Sequence, residues 1–520
     1  MPSYLHPGVY IEELPSGNRP IEGVGTSTAC FIGYCRQGPL NVPTLINNWD
    51  AYERTFGGLQ TDTTVVAGAA APLGDPMGHG VNAFFMNGGT AAYIVRLALG
   101  ASAASGTIND GGLLLTVTAA NPGRWANALV LRLALKQDDD GNNVFLATVG
   151  EGSGSAFVAL EPPQEVVPET GQPTSMQATI NASSKLVQVT LPAGQEAALR
   201  AHLEGAAGGL TEVTMTTAGL DGNAPGANEY QDAFPPLVKI RDINILLLPG
   251  QTWDGGTGQS ILNQAVAHCE ATRNRMLVFD LPPGLFLDNE STVQGLGLPT
   301  STYAVTYYPW TLVANPFYSP DSNPAAPRSV MVSPASMTAG LWAKTDSRRG
   351  VWKAPAGIEF PLLGVSGLAF QVANEEQDYL NPQGVNALRR MPGFGPVVWG
   401  TRTRSTRANP EWRYVPVRRT AIFIEESIYS GIQWAVFEPN DHRLWSSLRT
   451  NIDSFMNGLF RAGAFQGEMA NDAYFVRCGL GQTMTQDDID RGMVIVLVAF
   501  APLKPAEFVI VRIQQKVGQQ

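Results

Sequence analysis

The chain has 520 residues, which exceeds what one hydrophobic core usually serves, so about two to four domains are expected. Hydrophobic residues make up 44% of it and charged residues only 15%, so much of the surface is expected to be contact surface. The formal net charge of -11 argues against direct binding of nucleic acid or of an anionic membrane, because both depend on Lys and Arg beside phosphates.

The sequence predicts neither a signal peptide nor a membrane span. Residues 1–17 contain no basic stretch followed by an apolar one. The longest apolar run, residues 493–503, is interrupted by Pro502 and is much shorter than the ~20 residues of a spanning helix. The cysteines are Cys30, Cys35, Cys269 and Cys478. So few thiols in so long a chain predict buried free cysteines and folding in the reducing cytoplasm.

The N-terminus predicts a strand that has no local partner. Residues 8–14 lie between two prolines and include Val9, Tyr10 and Ile11, which favour extended structure. No second strand candidate follows at hairpin distance. A linker over residues 15–25, rich in Pro and Gly, separates this segment from the rest of the chain.

An α/β core domain is predicted from residues 26–100 together with residues 229–370. The predicted buried strands are residues 26–35, 91–97, 242–250, 275–284 and 302–313, with a helix over residues 259–274. Alternation of strand and helix at this spacing predicts a parallel sheet, which the part before residue 101 is expected to join.

Residues 101–228 have a different composition. They are rich in Ala, Gly, Thr and Ser, with short alternating runs such as LLLTVTA and KLVQVTL, and predict a β-rich insertion. Acidic residues outnumber basic ones between residues 110 and 232. Such an imbalance indicates a solvated outer domain.

The last third predicts a C-terminal α+β domain over residues 371–504. A helix is expected from Asn440 to Arg461, followed by strands over residues 474–478 and 492–500. Pro502 and Pro505 precede a final strand candidate over residues 507–513. Two prolines before a terminal strand indicate that it leaves the body of the domain as an arm, residues 505–520.

No catalytic, cofactor-binding or metal-ligating residue is assigned, and no cofactor is expected. The sequence lacks the phosphate-binding Gly-x-x-x-x-Gly-Lys-Ser/Thr loop and the Gly-x-Ser-x-Gly elbow of hydrolases. His268 and Cys269 are adjacent, but helix neighbours point about 100° apart, so a buried Cys beside a surface His is predicted. Cys30 and Cys35 are expected on opposite faces of a strand, which disfavours a shared metal.

Two groups of charged residues are predicted to have structural rather than catalytic or nucleic-acid-binding roles. Glu425–Glu426 and Asp487–Asp488 are predicted to be a charged rim or helix-start residues rather than an acid and base pair. The arginines between Arg402 and Arg419, interleaved with Trp412 and Tyr414, resemble a nucleic-acid surface. The acidic total favours arginines that pair with carboxylates at protein contacts instead.

Several segments, in order, resemble the contractile tail sheath family. They are YLHPGVYIEEL and PIEGVGTSTACFIG near the start, GVWKAPAG at residues 350–357, LNPQGVNALRRMPGFGPVVWGTRT at 380–403, WRYVPVRRTAIFIEESI at 412–428, WAVFEPNDHRLW at 434–445 and PAEFVIVRI at 505–513. Residues 101–228 carry no matching motif, and in this family such insertions vary and face outward.

The resemblance implies a structural protein that is not an enzyme. Sheath subunits form hexameric rings stacked helically around an inner tube, with a baseplate at one end and a terminator or cap protein at the other. Terminal arms add strands to sheets of neighbouring subunits, and contraction needs no fuel because assembly stores strain. The arm strands here are Val9, Tyr10 and Ile11 at one end and Phe508, Val509, Ile510 and Val511 at the other. After assembly the protein would belong to a virion tail or an injection particle.

The resemblance also implies a helix that faces the inner tube. In residues 440–461 the apolar residues Leu444, Trp445, Leu448, Ile452, Phe455, Met456 and Leu459 form one stripe, which is expected to pack on its own domain. The opposite face carries the predicted tube contacts His442, Arg443, Arg449 and Asn457.

Two other classes stay open at this stage: a hydrolase-like α/β enzyme, and a non-contractile shell or adhesin. An activity screen of purified monomer tests the first. Electron microscopy separates the second, because only a sheath forms a hollow helical tube. Since secretion-system sheaths are commonly split into two chains, a single chain favours a phage tail, a tailocin or an extracellular injection particle.

Overall fold

The structure is a computed structural model that describes residues 20–60, 75–110, 113–137, 143–166, 176–192, 194–206, 209–405, 409–508 and 510. These residues fall into two compact units, here called the sheet unit and the terminal unit. The sheet unit comprises the described residues of Ser27–Lys344 and Pro355–Pro410. The terminal unit comprises the described residues of Met1–Thr26, Thr345–Ala354 and Glu411–Gln520. The predicted arm residues Val9, Tyr10, Ile11, Val509 and Val511 lie outside the described residues.

The described chain mixes strands and helices, as the α/β and α+β prediction requires. Its strands are β1 (Ala29–Tyr34), β2 (Thr44–Ile46), β3 (Ala92–Leu97), β4 (Ser105–Asp110), β5 (Leu113–Ala119), β6 (Leu129–Gln137), β7 (Asn143–Glu151), β8 (Val158–Ala159), β9 (Gln164–Val166), β10 (Val187–Thr190), β11 (Leu210–Thr214), β12 (Ile245–Leu247), β13 (Met276–Asp280), β14 (Ala304–Tyr308), β15 (Thr311–Ala314), β16 (Ser329–Val332), β17 (Val365–Leu368), β18 (Val385–Met391), β19 (Gly395–Val398), β20 (Tyr474–Cys478) and β21 (Val496–Phe500). Its α-helices are α1 (Trp49–Phe56), α2 (Pro76–Met86), α3 (Met176–Ser183), α4 (Glu196–Gly205), α5 (Ala227–Leu237), α6 (Thr257–Thr272), α7 (Glu290–Gly295), α8 (Pro334–Arg349), α9 (Asn374–Leu380), α10 (Val415–Gly431), α11 (His442–Arg461), α12 (Ala470–Ala473) and α13 (Gln486–Asp490). None of these described helices is both long enough and apolar enough to cross a bilayer.

An eight-stranded sheet organises the sheet unit, in the order β19-β18-β14-β13-β12-β1-β3-β2. The six inner strands are parallel, and the two outer strands, β19 and β2, run antiparallel to their neighbours. β1 pairs with β12, which follows the insertion, so that Ala29 faces Ile245 and Phe31 faces Leu247. The prediction that the two halves of an interrupted sheet join is therefore confirmed.

Both faces of this sheet are covered, because its central strands are apolar without alternation. All residues of β12 and β13 are buried. On one face Cys30 and Ile32 share a cluster with α5 and α6. On the other face the ring of Phe31 meets that of Phe84 on α2, with centroids 5.5 Å apart.

Two predicted boundaries differ from the structure. The single strand expected over residues 302–313 is divided at Pro309, whose missing N–H cannot continue a ladder, and β15 pairs in a separate three-stranded sheet. The sequence places a domain boundary near residue 371, whereas β18 and β19 pair in the central sheet and the sheet unit extends to Pro410.

The segment predicted as an insertion is rich in strands and has its own core. It contains a three-stranded sheet, β10-β5-β4, and a second sheet in the order β11-β6-β7-β8, with β9 also on β7. Apolar side chains of both sheets and of α3 and α4 form one buried cluster, whose residues lie between Ala104 and Val213. This cluster is separate from that of the central sheet.

A narrow neck joins the insertion to the central sheet. Leaving and returning chains run antiparallel there, with Leu99 opposite Asn223, Ser102 opposite Leu220 and Ser105 opposite Thr217. The last pair exchanges two hydrogen bonds, Ser105 N to Thr217 O at 2.9 Å and Thr217 N to Ser105 O at 2.8 Å. The chain therefore enters and leaves the insertion at one place.

This neck predicts that the insertion is dispensable for folding of the sheet unit. Replacing residues 106–216 with Asn-Gly joins a hydrogen-bonded antiparallel pair through the turn that suits it. Arg96 loses one of its four carbonyl acceptors, Pro122 O, and keeps those of Cys35, Arg36 and Gly38. We expect a soluble monomer with a cooperative unfolding transition. A second variant, in which a Gly-Ser linker of equal span replaces the same residues, is the control. The prediction is contradicted if both variants are insoluble.

His268 lies in the core rather than at the surface, where the sequence analysis placed it. Its side chain is 9% exposed, and its ring stacks on Phe234 with centroids 5.0 Å apart. Its Nε2 lies 3.3 Å from Nη1 of the fully buried Arg275. Burial and then the Arg275 charge lower the pKa of His268 to about 4. The helical spacing from Ile261 already indicated an inward position for residue 268.

The cysteines of the described chain follow the prediction. All four are free and buried. Burial raises the pKa of Cys30, Cys35 and Cys269 to about 12, so these thiols stay protonated and unreactive.

The buried His268 predicts a loss of stability in mild acid. Its folded pKa is lower than that of the unfolded chain, so the unfolded state takes up a proton first as the pH falls below about 6.5. Stability is complete above that pH and decreases towards pH 4, by about 2 kcal/mol at pH 5 from this group alone. Denaturant unfolding at pH 7 and pH 5 measures the change. His268→Gln should lose that part of the pH dependence, and an equal pH dependence in both proteins would contradict the assignment.

Candidate assembly surfaces

The terminal unit is built on two long helices and a two-stranded sheet. β20 and β21 pair antiparallel, from Tyr474 opposite Phe500 to Cys478 opposite Val496. On the inner face Tyr474, Val476, Val498 and Phe500 join the apolar cluster that α10 and α11 also form. The sheet is thus held in place by the helices, since two strands alone are marginally stable in water.

The outer face of this sheet is apolar and exposed. Phe475 on β20 is 39% exposed and Leu497 on β21 is 48% exposed. The guanidinium of Arg477 lies over the Phe475 ring, 4.8 Å from its centroid. An apolar sheet face of this kind is typical of a surface that another chain covers.

Within the described residues, both edges of this sheet are open over the middle of the strands. Among the described residues no third strand pairs with β20 or β21. In an antiparallel ladder every second residue directs its N–H and C=O away from its partner, so each edge presents such groups. Two side chains bind carbonyl groups at the ends of the strands: Arg449 Nη1 donates to Cys478 O at 3.1 Å, and Thr483 Oγ1 donates to Ile495 O at 2.6 Å.

α11 and its apolar stripe agree with the prediction. Asp441 caps the helix by accepting from the N–H groups of Arg443 and Leu444 at 2.9 and 3.0 Å. The buried residues are Leu444, Trp445, Leu448, Asn451, Ile452, Met456 and Leu459. Phe455, which the sequence also placed in the stripe, is half-buried.

The four predicted tube-contact residues are not equivalent. His442 and Arg443 are exposed at the start of α11, and the His442 ring lies edge-on to Trp445 with centroids 4.6 Å apart. Arg449 and Asn457 are half-buried. Because Arg449 also donates to Cys478 O and to Ser446 Oγ, it supports the sheet as well.

The loop between α10 and α11 presents a residue that the sequence analysis did not single out. Phe437 has a fully exposed side chain and a left-handed backbone with φ of 70°. Asn440 fixes this loop, since it accepts from Trp445 Nε1 at 2.8 Å and donates to Met493 O at 3.0 Å. No local pattern in VFEPND distinguishes an exposed Phe from a buried one.

Part of the predicted N-terminal linker over residues 15–25 packs on α10. Ile21 is buried in the cluster with Ile424 on α10. Val24 N donates to Ser427 Oγ at 3.1 Å, and Thr26 Oγ1 donates to Asp346 Oδ2 at 2.6 Å. A linker prediction based on Gly and Pro content misses these contacts because their partners lie more than 300 residues away.

Four arginines of the predicted basic cluster, Arg402, Arg404, Arg418 and Arg419, are buried. Arg402 and Arg404 are buried and donate to backbone carbonyls, among them those of Asn381, Pro299 and Gln383. In the terminal unit, Arg418 lies over the Trp412 ring, 3.6 Å from its centroid, and Arg419 pairs with Asp346. The expected pairing with a carboxylate holds for Arg419, but its partner lies in the same chain, and none of these four arginines is exposed for a contact between proteins.

The predicted carboxylate pairs have structural positions too. Thr485 caps α13 and accepts from Asp488 N, so Asp487 and Asp488 are helix-start residues, as expected. Glu425 and Glu426 lie within α10. Within the described ranges, no three His, Cys, Asp or Glu side chains are grouped to hold a metal ion.

Comparison with known proteins identifies the family. Residues 223–404 match the model of the phage tail sheath protein central domain, and residues 407–516 match that of the phage tail sheath C-terminal domain. The two matches cover more than half of the chain. This chain belongs to the contractile tail sheath family.

Sheath proteins from several sources share parts of its sequence. The tail sheath protein of Vibrio phage KVP40 is 27% identical over 184 residues, which are 35% of this chain and 26% of that protein. The tail sheath protein of Enterobacteria phage T4 is 30% identical over 125 residues, 24% of this chain and 19% of that protein. The matches thus span about a quarter or less of these curated sheath proteins.

Solved sheath structures share the fold over nearly the whole chain. The contracted sheath of an extracellular contractile injection system, PVC, has a TM-score of 0.58 and 23% identity, and the alignment covers 99% of each chain. A sheath tail protein from Listeria innocua has a TM-score of 0.57 at 12% identity, with 93% and 96% covered.

Proposed function

We propose that this protein polymerises into stacked hexameric rings around an inner tube and contracts to drive that tube through a target envelope. Sheath family membership supports the proposal, and one structural observation carries its mechanism: the sheet β20–β21 has an exposed apolar face and, among the described residues, no third strand at either edge. Neighbouring subunits would complete this sheet with the strands of their terminal arms.

Strand addition would connect neighbouring subunits strongly enough to hold the sheath together, whatever the relative orientation of the two subunits. Each backbone hydrogen bond to an open edge contributes about 0.5 to 1.5 kcal/mol net, so an arm with four or five bonds holds by a few kcal/mol. A subunit with two arms and two open edges connects to several neighbours, and this multivalency strengthens the whole mesh. Subunit bodies can then rotate and repack while the arms stay attached.

The C-terminal end of the chain has the features of such an arm. Pro502 still pairs with Phe465, but Phe508 and Ile510 are 75% and 78% exposed. Residues two positions apart lie on the same side of a strand, so these two would form one apolar stripe. An apolar stripe in water favours a partner, and the described residues around it form no strand within their own subunit.

Contraction would draw on conformational energy alone. The sheath would assemble in a strained, extended state on the baseplate and tube, and repack into a lower state when the baseplate releases it. A tube contact that must hold before firing and yield afterwards suits polar residues of modest affinity, such as His442, Arg443, Arg449 and Asn457. The insertion over residues 101–228 would face outward, away from the tube.

Removing the N-terminal arm tests strand exchange. Deletion of residues 1–20 leaves the buried Ile21 in place, so we expect a soluble, folded monomer that forms no extended sheath. Val509→Pro or Ile11→Pro removes one backbone donor and should weaken the mesh where that donor faces the neighbouring strand, whereas Val509→Ala should not. Size-exclusion chromatography and electron microscopy measure assembly. A structure of the sheath with both end strands docked in their own subunits would refute the mechanism.

Charge reversal on α11 tests the tube contact. Arg443 is exposed, so Arg443→Glu should leave the fold intact yet give sheaths that polymerise without a tube or contract early. Arg449→Glu should do the same but also loosen the end of β20, where Arg449 binds Cys478 O. Particle morphology across a salt series provides the measurement, with Arg443→Gln as the milder control. Extended Arg443→Glu particles of normal stability in both low and high salt would exclude the contact.

A further inference from the structure

We propose that α10 is a common strut for the two terminal arms, holding the root of the N-terminal arm along its length and the root of the C-terminal arm at its opposite end. The inference rests on the proposed strand exchange and adds to it a path along which tension between neighbouring subunits passes. It follows from contacts made by residues 21–26, Glu507 and α10.

Residues 21–24 lie against the second half of α10 at very short range. A side-chain Cβ placed on Gly431 would be 2.7 Å from Ile21, and one placed on Gly23 would be 2.9 Å from the Phe423 ring. Both distances are shorter than ordinary van der Waals contact, so a side chain at either glycine would have to displace the side chain that it faces. Val24 N adds its hydrogen bond to Ser427 Oγ.

A buried ion pair fixes the inner end of this segment. Arg419 Nη2 donates to Thr26 O at 2.9 Å and to Asp346 Oδ2 at 2.5 Å, and its Nη1 donates to Asp346 Oδ1 at 2.8 Å. Thr26 Oγ1 donates to the same carboxylate. The side chains of Arg419 and Asp346 are only 5% and 6% exposed. Thr26 is therefore held through both its backbone and its side chain.

The segment runs antiparallel along the helix axis. Thr26 is bound at residue 419, Val24 at residue 427 and Ile21 at residue 431. Between these outer contacts, Gly23 faces the Phe423 ring. The four contacted helix positions, 419, 423, 427 and 431, are four residues apart and therefore lie on one face of α10, over about 18 Å of its length.

The C-terminal arm begins at the other end of the same helix. Tyr414 is the residue before α10, and its hydroxyl donates to Glu507 Oε2 at 3.2 Å. Phe508 follows directly and is exposed. The two arms therefore leave from opposite ends of a 17-residue helix, whose length of about 25 Å sets the distance between their roots.

This geometry determines how tension is resisted. A pull on the N-terminal arm along the axis of α10 would load the contacts of Ile21, Val24 and Thr26 together instead of breaking them one by one. The pull then reaches the Tyr414 end, where the C-terminal arm begins. α10 would carry force from one neighbour to the next without deforming the rest of the terminal unit.

Gly431→Ala separates this role from folding. Alanine favours a helix more than glycine does, so α10 should not weaken, but its methyl group displaces Ile21. Gly458→Ala in α11 is the matched control, because a Cβ there meets nothing within 4 Å. Ser427→Ala and Tyr414→Phe remove one anchoring hydrogen bond each, at the N-terminal and C-terminal roots, and Glu507→Gln keeps an acceptor for Tyr414.

Two measurements decide the proposal. In the full-length monomer, hydrogen exchange at the Val24 amide should become about tenfold faster in Gly431→Ala and Ser427→Ala, with exchange in the core of α11 unchanged. In triggered particles, electron microscopy should show contracted sheaths broken between rings for Gly431→Ala and Tyr414→Phe, and intact for Gly458→Ala and Glu507→Gln.

Each opposite result has a distinct meaning. The proposal is wrong if the Val24 amide of the unmodified protein already exchanges at the rate of an open chain. It is also wrong if Gly431→Ala frees Val24 but contracted sheaths stay intact. Unimpaired assembly after deletion of residues 1–20 would instead refute strand exchange itself, whatever the state of the strut.

Discussion

The terminal unit depends on one buried ion pair, Arg419 with Asp346. Three segments distant in the sequence meet there: the chain near Thr26, the end of α8 and the first turns of α10. Removing one partner of a buried pair costs about 3 to 5 kcal/mol, since the other charge is then left in the interior without compensation. The pair therefore determines where the chain from the N-terminus enters the unit, and with it the course of residues 21–26 over α10.

Arginine has a related use in the sheet unit, where the acceptors are mainly backbone carbonyls. Arg96 binds four of them, Arg275 binds those of Leu237 and Ile240, and Arg404 binds that of Pro299. The guanidinium offers five donors in a fixed plane, so one buried side chain can satisfy several loop carbonyls at once. This explains how Arg96, Arg275 and Arg404 can be buried in a chain with so little charge.

Local periodicity carried the sequence predictions that the structure confirms. The apolar strands before and after the insertion, α6 and the stripe of α11 each follow from the spacing of neighbouring residues. The errors concern contacts whose partners are remote: Ile21 on Gly431, Thr26 on Asp346, and β18 beside β14. His268 was missed for a different reason, because a polar residue was assumed to face water although its helical position faces inward. The exposed, left-handed Phe437 has no local signature at all.

The neck at Ser105 and Thr217 has a consequence for how this sheath could change over time. A hydrogen-bonded antiparallel pair keeps its Cα atoms about 5.5 Å apart, so any domain whose two ends lie equally close can be spliced in at that position without altering strand order in the central sheet. Gain, loss or exchange of such a domain by recombination would leave the strand order and pairing of the eight-stranded sheet unchanged. The same property makes the neck a grafting point, at which an enzyme or a binding domain with adjacent termini can be attached once per chain.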